Sequence, residues 1–276
     1  METDMAQKLM TARLERKDCL SEISQCYHFE FVLDGLESFN FVPGQFVSAV
    51  ALDAAGKQQT RGYSLASAPR GNRFELCVNR VPNGFFSNHL ADLADLAPGG
   101  TIQIYGPHGY FFLHEPFTDS ILIATGTGIA PMRSFLHWLF PEDGPDAETD
   151  RSQGKQIWLV HGTRHESGLY YRAEFEALAR RRTSFHYLPT LSLAPKSWNG
   201  LCGQVQEHVA RIVEQRAALL RQHLPEPAPD PALLPSELNF DIYAYVSGQN
   251  EMVSAVRERL TAFGWHRKQI VFERYD

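Results

Sequence analysis

The stretch TRGYSLASAP, residues 60–69, places an arginine, a tyrosine and small hydroxyls close together. Arg61 offers a planar fork of donors that suits a phosphate group. Tyr63 offers a flat amphipathic face, and Ser64 adds a small hydroxyl beside it. A ligand that joins a diphosphate to a large flat heterocycle would use all three side chains. An ordinary strand edge with a half-buried tyrosine would fit them equally well.

A second stretch, SILIATGTGIAP at residues 120–131, predicts an anion site. Its apolar run predicts a buried strand that enters a helix through Gly126 and Gly128. Such a turn presents free backbone N–H groups and the positive end of the helix, typically to a dinucleotide pyrophosphate. Pro131 suits the first helical turn. The alternative is an ordinary tight turn between a strand and a helix.

The first half of the chain has the pattern of antiparallel strands. Short runs rich in Phe, Val and Ile alternate with Gly, Pro and Asn, as in HFEFVLDG, QFVSAVAL, RFELCVNRV and TIQIYGPHG. Runs of this kind at regular intervals predict a barrel or a sandwich.

From Ser120 onward, apolar runs alternate with helical patterns, which predicts a parallel sheet with right-handed crossovers. We therefore place a domain boundary between Leu113 and Thr118. Prolines predict loops or insertions at residues 141–155 and 224–236. A last helix is expected to end at Gly264.

Composition excludes several classes of protein. The 276 residues are 43% hydrophobic, enough for one large domain or two small ones. The N-terminus lacks the pattern of a signal peptide, and no apolar run is long enough to span a bilayer, so we expect no membrane partner and a cytoplasmic location. A formal net charge of −6 disfavours a nucleic-acid partner.

Neither a metal site nor a hydrolase site is predicted. The four cysteines are scattered without ligand spacing, which favours reduced thiols in the core. His161 and His165 are four residues apart only across a loop that contains glycine, so we predict no metal. No G-x-S-x-G motif is present.

Several motifs, in this order, resemble the ferredoxin–NAD(P) reductase superfamily. They are RGYSLAS, VPNGFFSNHL, GPHGYF, GTGIAPMRS, SGQNEM and FERY, and the resemblance covers the chain from about Cys19 onward. It implies two domains without a fused ferredoxin. An FAD-binding antiparallel β-barrel would occupy residues 1–115 after a short N-terminal extension. A doubly wound α/β domain with a parallel sheet would bind the nicotinamide nucleotide over residues 116–276.

The resemblance implies which residues hold FAD. Arg61 would bind the diphosphate, Tyr63 would stack on the isoalloxazine, and Ser64 would hydrogen-bond near the reactive flavin nitrogen. Further cofactor contacts would come from a helix N-terminus and the residues around it, namely Gly62, Asn79, Arg80, Val81, Gly84, Phe85, Phe86 and Ser87.

It also implies a site for NADP or NAD. The diphosphate would bind at Gly126, Thr127 and Gly128, with Thr127 near the nicotinamide. The SGQNEM segment would add Gly248 and Met252, together with Ser247, where the family often has cysteine. Tyr275 would cover the other flavin face, and Glu273 would lie near the hydride-transfer site. Asp276 departs from the family by extending beyond the terminal aromatic residue.

The choice between NADH and NADPH stays open. Arg164 could face a 2′-phosphate, and no acidic residue ends the second parallel strand to bind a ribose hydroxyl. Ser192 and Lys196 are further candidates for the phosphate. However, Leu193 and Gln204 stand where the family often has arginines.

The implied function is electron transfer between NAD(P)H and a separate one-electron carrier protein, such as ferredoxin or flavodoxin. The alternatives are the reductase component of an oxygenase, a free-flavin reductase and a non-catalytic flavin-binding regulatory module. An acidic carrier would need a local basic patch on this chain. Two groups of basic residues are candidates, and the alternative is that both groups are simply solvated surface charges. The candidates are Lys8, Arg13, Arg16 and Lys17, or Arg180, Arg181 and Arg182.

Overall fold

A computed structural model describes residues 9–53, 55–96, 99–142, 149–222 and 242–275. The chain divides into two compact units, Met1–Leu113 with Ala130–Arg151, and His114–Ile129 with Ser152–Asp276. The functional boundary between residues 115 and 116 stays a prediction. Lys8, Asp276 and the predicted loop at 224–236 lie outside the described residues, as does part of the predicted loop at 141–155.

The first unit contains a six-stranded antiparallel sheet, with strand order β4-β3-β6-β1-β2-β5. Leu65, directly after β4, forms an isolated antiparallel bridge with Leu76 of β5, which brings the two ends of the sheet together. The predicted antiparallel barrel is therefore confirmed. Helix α1 (Phe85–Leu96) follows the fifth strand. The strands are β1 (Met10–Ser21), β2 (Cys26–Leu33), β3 (Phe46–Leu52), β4 (Gln58–Ser64), β5 (Arg73–Asn79) and β6 (Thr101–His108).

Aromatic side chains fill the barrel. Phe29, Phe31 and Phe74 are fully buried, and the rings of Phe31 and Phe74 stack with their centroids 5.3 Å apart. Each buried phenylalanine contributes roughly 1.5–3 kcal/mol of transfer free energy. Because a shift of one residue would turn these rings outward, they determine the register of β2 and β5.

The second unit contains a six-stranded parallel sheet, as predicted, with strand order β10-β9-β8-β7-β11-β12. The order changes direction at β7, which pairs with β8 on one side and with β11 on the other. Ligands of such sheets bind at the carboxyl ends of the strands beside this point. The strands are β7 (Asp119–Thr125), β8 (Ile157–Thr163), β9 (Phe185–Leu191), β10 (Leu201–Cys202), β11 (Ile242–Gln249) and β12 (Ile270–Tyr275).

Five helices are present in the described part of the chain. Helix α2 (Ile129–Leu139) starts directly after a 3₁₀ turn at Gly126–Gly128, and from Ala130 it packs within the first unit. The others are α1, α3 (Arg172–Arg181), α4 (Val205–Gln222) and α5 (Asn250–Ala262). The last helix ends two residues before Gly264, which has a φ of +84°. None of these helices is long and apolar enough to cross a membrane. The cytoplasmic location stays a prediction.

Candidate functional site

Strand β4 carries the R-x-Y-S motif along the barrel. It pairs with β3, so that Val47 lies opposite Tyr63 and Phe46 lies opposite Ser64. Because side chains alternate along a strand, Arg61 and Tyr63 share one face. Arg61 is exposed, whereas Tyr63 and Ser64 are half-buried. The barrel thus presents a charged donor and an aromatic ring side by side.

Burial makes the Tyr63 phenol harder to ionise. Desolvation raises its pKa to about 12, and the nearby charge of Arg61 only partly opposes this effect. Tyr63 also packs against the aromatic core of the barrel. A neutral ring held by packing is a suitable platform for a flat heterocycle.

The segment between β5 and α1 is held by side chains. Arg80 donates to Asn88 at 2.6 Å and pairs with Asp92 at 3.1 Å. The Ser87 hydroxyl accepts a hydrogen bond from the Val81 N–H at 3.0 Å. Arg80 is thus committed to helix α1, which restricts its predicted contact with the cofactor to its backbone or to the guanidinium edge.

Helix α1 begins at Phe85, so the predicted helix N-terminus lies at the predicted diphosphate position. A Cβ added to Gly84 would lie 2.6 Å from the Ser87 Oγ, which explains why glycine precedes the helix. Phe85 is 43% exposed, whereas Phe86 is buried. The first-turn N–H groups beside Gly84 are donors that a diphosphate could use.

The Gly126–Gly128 turn is the most constrained part of the second unit. Gly126 has a φ of +55°, in the left-handed region. A Cβ added to Gly128 would lie 2.2 Å from the Ser247 carbonyl oxygen and 2.8 Å from the Tyr275 hydroxyl. Residue 128 must therefore be glycine because strand β11 approaches it closely. Residue 126 favours glycine because its backbone has a positive φ.

Tyr275 lies against this glycine turn. Its hydroxyl donates to the Thr125 carbonyl at 2.5 Å and accepts a hydrogen bond from the Gly128 N–H. Parallel pairing of β11 with β12 sets this position, because Gln249 lies opposite Tyr275 and Ser247 lies opposite Glu273. The C-terminal tyrosine thus occupies a backbone donor that was predicted to serve the nucleotide.

Ser247 is fully buried, and its Oγ has no hydrogen-bond partner among the described residues. At the next residue, Gly248, an added Cβ would lie 2.3 Å from the Met252 Cε and 2.5 Å from the Thr125 Oγ1. A buried hydroxyl without a partner costs free energy, which makes Ser247 a candidate contact for a ligand. The structure therefore brings Ser247, Gly248 and Met252 to the same turn as Gly128.

Arg164 and Ser192 lie on neighbouring loops at the carboxyl ends of β8 and β9. The Ser192 N–H donates to the Thr163 carbonyl at 2.9 Å, and the Leu193 N–H donates to the Arg164 carbonyl at 3.1 Å. Arg164 and Ser192 are exposed, and Leu193 is 59% exposed. The structure thus brings together the loops of two of the three predicted phosphate candidates, Arg164 and Ser192. The exposed side chain at residue 193, where the resemblance implies an arginine, is an apolar leucine.

Comparisons with known proteins agree with this geometry. The family model described as "Oxidoreductase FAD-binding domain" matches residues 11–113, and "Oxidoreductase NAD-binding domain" matches residues 122–258. Ferredoxin--NADP reductase B of Sorangium cellulosum is 36% identical over 244 residues, which cover 87% of each chain. The chain belongs to the ferredoxin–NAD(P) reductase superfamily. It is accordingly an oxidoreductase whose cofactors are FAD and a nicotinamide nucleotide.

Two further similar proteins are an electron transfer component of a dioxygenase and a ferredoxin NADP+ reductase. The 2-halobenzoate 1,2-dioxygenase electron transfer component of Burkholderia cepacia is 26% identical over 91% of this chain and 64% of that protein. The ferredoxin NADP+ reductase of Neisseria gonorrhoeae, solved with FAD and NADP, has a TM-score of 0.70 at 22% identity and covers 97% of this chain and 98% of that chain. The second comparison supports the fold.

The residues of this reductase-family chain fit both cofactors. The Ser247 hydroxyl, which has no partner among the described residues, fits the nicotinamide nucleotide, as do Gly128 and Gly248, where a Cβ has no room. The neutral, half-buried Tyr63 beside Arg61 fits the ring and the diphosphate of FAD. The individual roles assigned to these residues stay predictions.

By distance, one group of described side chains could hold a metal ion. His28, Glu30 and Glu75 place their ligand atoms within 4.8 Å of one another. However, Arg16 pairs with Glu30 at 2.6 Å, and Arg133 pairs with Glu75. Because arginines already balance both carboxylates, this cluster fits a network of charges better than a cation site.

His161 makes the reductase fold sensitive to acid. It is fully buried, and this burial lowers its pKa from 6.5 to about 3. Below pH 6.5 the unfolded chain therefore binds a proton at this residue, whereas the folded chain does not. The free energy of unfolding accordingly falls as the pH drops from 6.5 towards 3. From pH 7 to pH 5 we expect the free energy of unfolding to fall by about 2 kcal/mol from this residue.

Urea unfolding of wild type and His161→Phe at both pH values checks this prediction. Burial also lowers the pKa values of His28, His186 and His208, so only the difference between the two proteins isolates His161. The variant loses the contact with the Tyr187 hydroxyl at 3.2 Å and should be less stable at pH 7, but with a smaller dependence on pH. Parallel pH dependences would contradict the prediction.

Sequence reasoning did not assign a role to Arg133 and Ser134 in the GTGIAPMRS motif. Both are buried on helix α2, Arg133 at 8% exposure and Ser134 at 0%. The available signal was a charged residue within the apolar helix PMRSFLHWLF. A buried arginine requires a partner, which only the folded barrel identifies.

Proposed function

We propose that this chain is an FAD-dependent reductase that transfers electrons between NAD(P)H and a separate one-electron carrier protein, such as a ferredoxin or a flavodoxin. The main support is the glycine turn at the switch point of the parallel sheet, where the Ser247 hydroxyl lacks a described partner. The relative from Sorangium cellulosum supports the same reaction class.

In this proposal the chain binds and orients both nucleotides. The chemistry that bound FAD would supply is acceptance of hydride and release of electrons one at a time. Arg61 and the first turn of helix α1 bind the FAD diphosphate. Tyr63 holds the flavin ring, and Ser64 donates towards it. The turn at Gly126–Gly128 binds the diphosphate of the nicotinamide nucleotide. Ser247 lies beside the nicotinamide, with Thr127 and Glu273 near the site of hydride transfer.

A reductase component of an oxygenase is the second candidate function. The relative from Burkholderia cepacia, an electron transfer component of a dioxygenase, supports it. The chemistry at the flavin would be the same in both cases, and only the protein that accepts the electrons would differ.

The predicted N-terminal docking group is largely committed to contacts within the barrel. Arg13 lies 3.4 Å from Asp34, and Arg16 pairs with Asp18 at 3.0 Å. Lys17 donates to the Ala91 carbonyl. This group and Arg180–Arg182, at the end of helix α3, both stay candidates for the basic surface that an acidic carrier would meet.

The test is a visible spectrum of the purified protein, followed by anaerobic titration with NADH and with NADPH. A bound-flavin spectrum that bleaches with one nucleotide would support the proposal and identify the nucleotide. Failure to bind FAD after reconstitution would rule the proposal out. A yellow protein bleached by neither nucleotide would instead favour the regulatory module. Rapid loss of the flavin on dilution would favour the free-flavin reductase.

Tyr275→Phe is expected to tighten binding of the oxidised nucleotide. The substitution removes the hydroxyl that occupies the Gly128 N–H but keeps the ring that is proposed to cover the flavin. In the variant the nucleotide no longer has to displace the hydrogen bond between the Gly128 N–H and the tyrosine hydroxyl. Such a bond is worth about 1 kcal/mol, so the dissociation constant of the nucleotide should fall by roughly fivefold. Difference spectra of the flavin during titration with NADP+ and NAD+ measure it.

Tyr243→Phe is the matched control, since it removes a tyrosine hydroxyl from the neighbouring strand β11. The Tyr243 ring stacks on His114 with the ring centroids 4.1 Å apart. Its dissociation constant should equal that of the wild type. Unchanged or weaker binding in Tyr275→Phe would show that the tyrosine hydroxyl does not compete with the nucleotide.

A further inference from the structure

Two side chains of helix α2 donate to the chain directly after the R-x-Y-S motif. Arg133 Nη1 donates to the Ala66 carbonyl at 2.9 Å. Ser134 Oγ donates to the Ser67 carbonyl at 2.6 Å. Ala66 and Ser67 follow Ser64 by two and three residues, and both are buried. Helix α2 therefore satisfies consecutive carbonyl groups that buried backbone cannot leave unpaired.

The same segment is held from its other side by strand β5. The Ala66 N–H donates to the Glu75 carbonyl at 2.8 Å, and the Glu75 N–H donates to the Ser67 hydroxyl at 3.2 Å. The Leu65 N–H donates to the Gln45 carbonyl at 2.9 Å. The path of the chain after Ser64 is therefore determined by strand β5 and helix α2 together.

The buried charge of Arg133 is balanced by a carboxylate next to the carbonyl group that it binds. Its guanidinium also pairs with the Glu75 carboxylate, which lies 3.7 Å from the His28 Nε2. A buried charge is tolerated only with such a partner, and an arginine can serve a carboxylate and a carbonyl from one planar group. Phe135, the next helical residue but one, packs on Phe111 with ring centroids 5.4 Å apart and keeps the helix in place.

We propose that Arg133 and Ser134 are positioning residues for the flavin, acting through Ala66 and Ser67 on Ser64 and Tyr63. This inference rests on the proposed placement of FAD along Arg61–Ser64. Neither side chain needs to touch the cofactor. Their effect is to hold the end of strand β4 so that the Ser64 hydroxyl and the Tyr63 ring keep one orientation towards it.

The experiment compares purified holoenzymes of Arg133→Met, Arg133→Lys and Ser134→Ala with the wild type. Loss of a charge-assisted hydrogen bond should weaken FAD binding by roughly tenfold to a hundredfold in Arg133→Met. Loss of a neutral one should weaken it by about three- to tenfold in Ser134→Ala. Arg133→Lys, which keeps the charge, should recover part of the affinity. The visible circular dichroism of the flavin should change in the same order.

Arg16→Gln is the matched control. Arg16 pairs with Glu30 in the same charge network but is 57% exposed and lies on strand β1, which pairs with neither β4 nor β5. It should retain the FAD affinity and the circular dichroism of the wild type. If Arg133→Met is insoluble, Ser134→Ala and Arg133→Lys still test the inference, because each preserves part of the network.

The inference is overturned if the variants melt at lower temperature while FAD affinity and visible circular dichroism stay as in the wild type, since that would show a purely structural role. Equal effects in Arg16→Gln would also overturn it. Failure of the proposed function is a separate result, because it would appear as a wild-type protein that does not bind FAD.

Discussion

Gly128→Ala should reduce the rate of flavin reduction by NAD(P)H by about a hundredfold while the protein keeps its FAD. The added methyl group would lie 2.2 Å from the Ser247 carbonyl oxygen, which belongs to the backbone of a central strand and has little freedom to move. The turn must therefore shift, and with it the N–H groups proposed to bind the nucleotide. Stopped-flow absorbance under anaerobic conditions measures the rate.

Gly126→Ala is the matched comparison within the same turn. There the new Cβ would have the Tyr275 hydroxyl 3.7 Å away as its nearest neighbour, so the cost is mainly that of a φ of +55°. That conformation costs roughly 1–2 kcal/mol for a residue with a Cβ. We expect a smaller loss of rate than in Gly128→Ala. Dithionite should bleach both variants. A wild-type rate in Gly128→Ala would contradict the assignment of this turn to the nucleotide.

Arg61→Gln should yield a protein that loses FAD during gel filtration. The substitution removes a guanidinium proposed to bind the FAD diphosphate, where charge-assisted hydrogen bonds are the strongest available. A loss of about 3 kcal/mol corresponds to a dissociation constant raised by roughly a hundredfold. Arg61 is exposed on strand β4, so the barrel should stay folded. Reconstitution titrations followed by flavin fluorescence measure the constant.

Arg73→Gln is the control for Arg61→Gln. Arg73 is a 54% exposed arginine of strand β5 that pairs with Glu15. Its loss removes the same charge from the same barrel and should leave FAD affinity unchanged. If both variants bind FAD equally well, the diphosphate does not lie at Arg61. If both lose it, the effect is one of net charge.

The strands with a clear pattern of apolar and aromatic residues were predictable from sequence. The run SILIATGTG predicted the buried strand β7 and its turn, because a fully apolar run ending in glycines has few other structures open to it. The run HFEFVLDG predicted β2 for a different reason, because it is a short segment rich in Phe and Val that is bounded by glycine. By contrast, β1 was not predicted as a strand, and the β4 segment was considered a strand edge only as an alternative. Strand β4, QQTRGYS, is mostly exposed and polar, so its strand structure comes from pairing with β3 rather than from its own residue types.

The site was predictable as motifs but not as contacts. Glycines 126 and 128 could be assigned to one turn from sequence, but their different reasons for being glycine required the position of Ser247. Ser247 and Tyr275 are separated along the chain from this turn by more than a hundred residues, and only the parallel pairing of β7, β11 and β12 brings them to it.

The sequence by itself determined the fold class, the superfamily and the two cofactors, because short motifs of glycine, arginine and aromatic residues encode local backbone geometry and ligand chemistry. Tertiary structure alone decided that the Tyr275 hydroxyl occupies the Gly128 N–H and that Arg133 serves Ala66 and Glu75. These contacts join residues distant in sequence. Their partners are selected by burial and strand register, which depend on the packing of the whole chain.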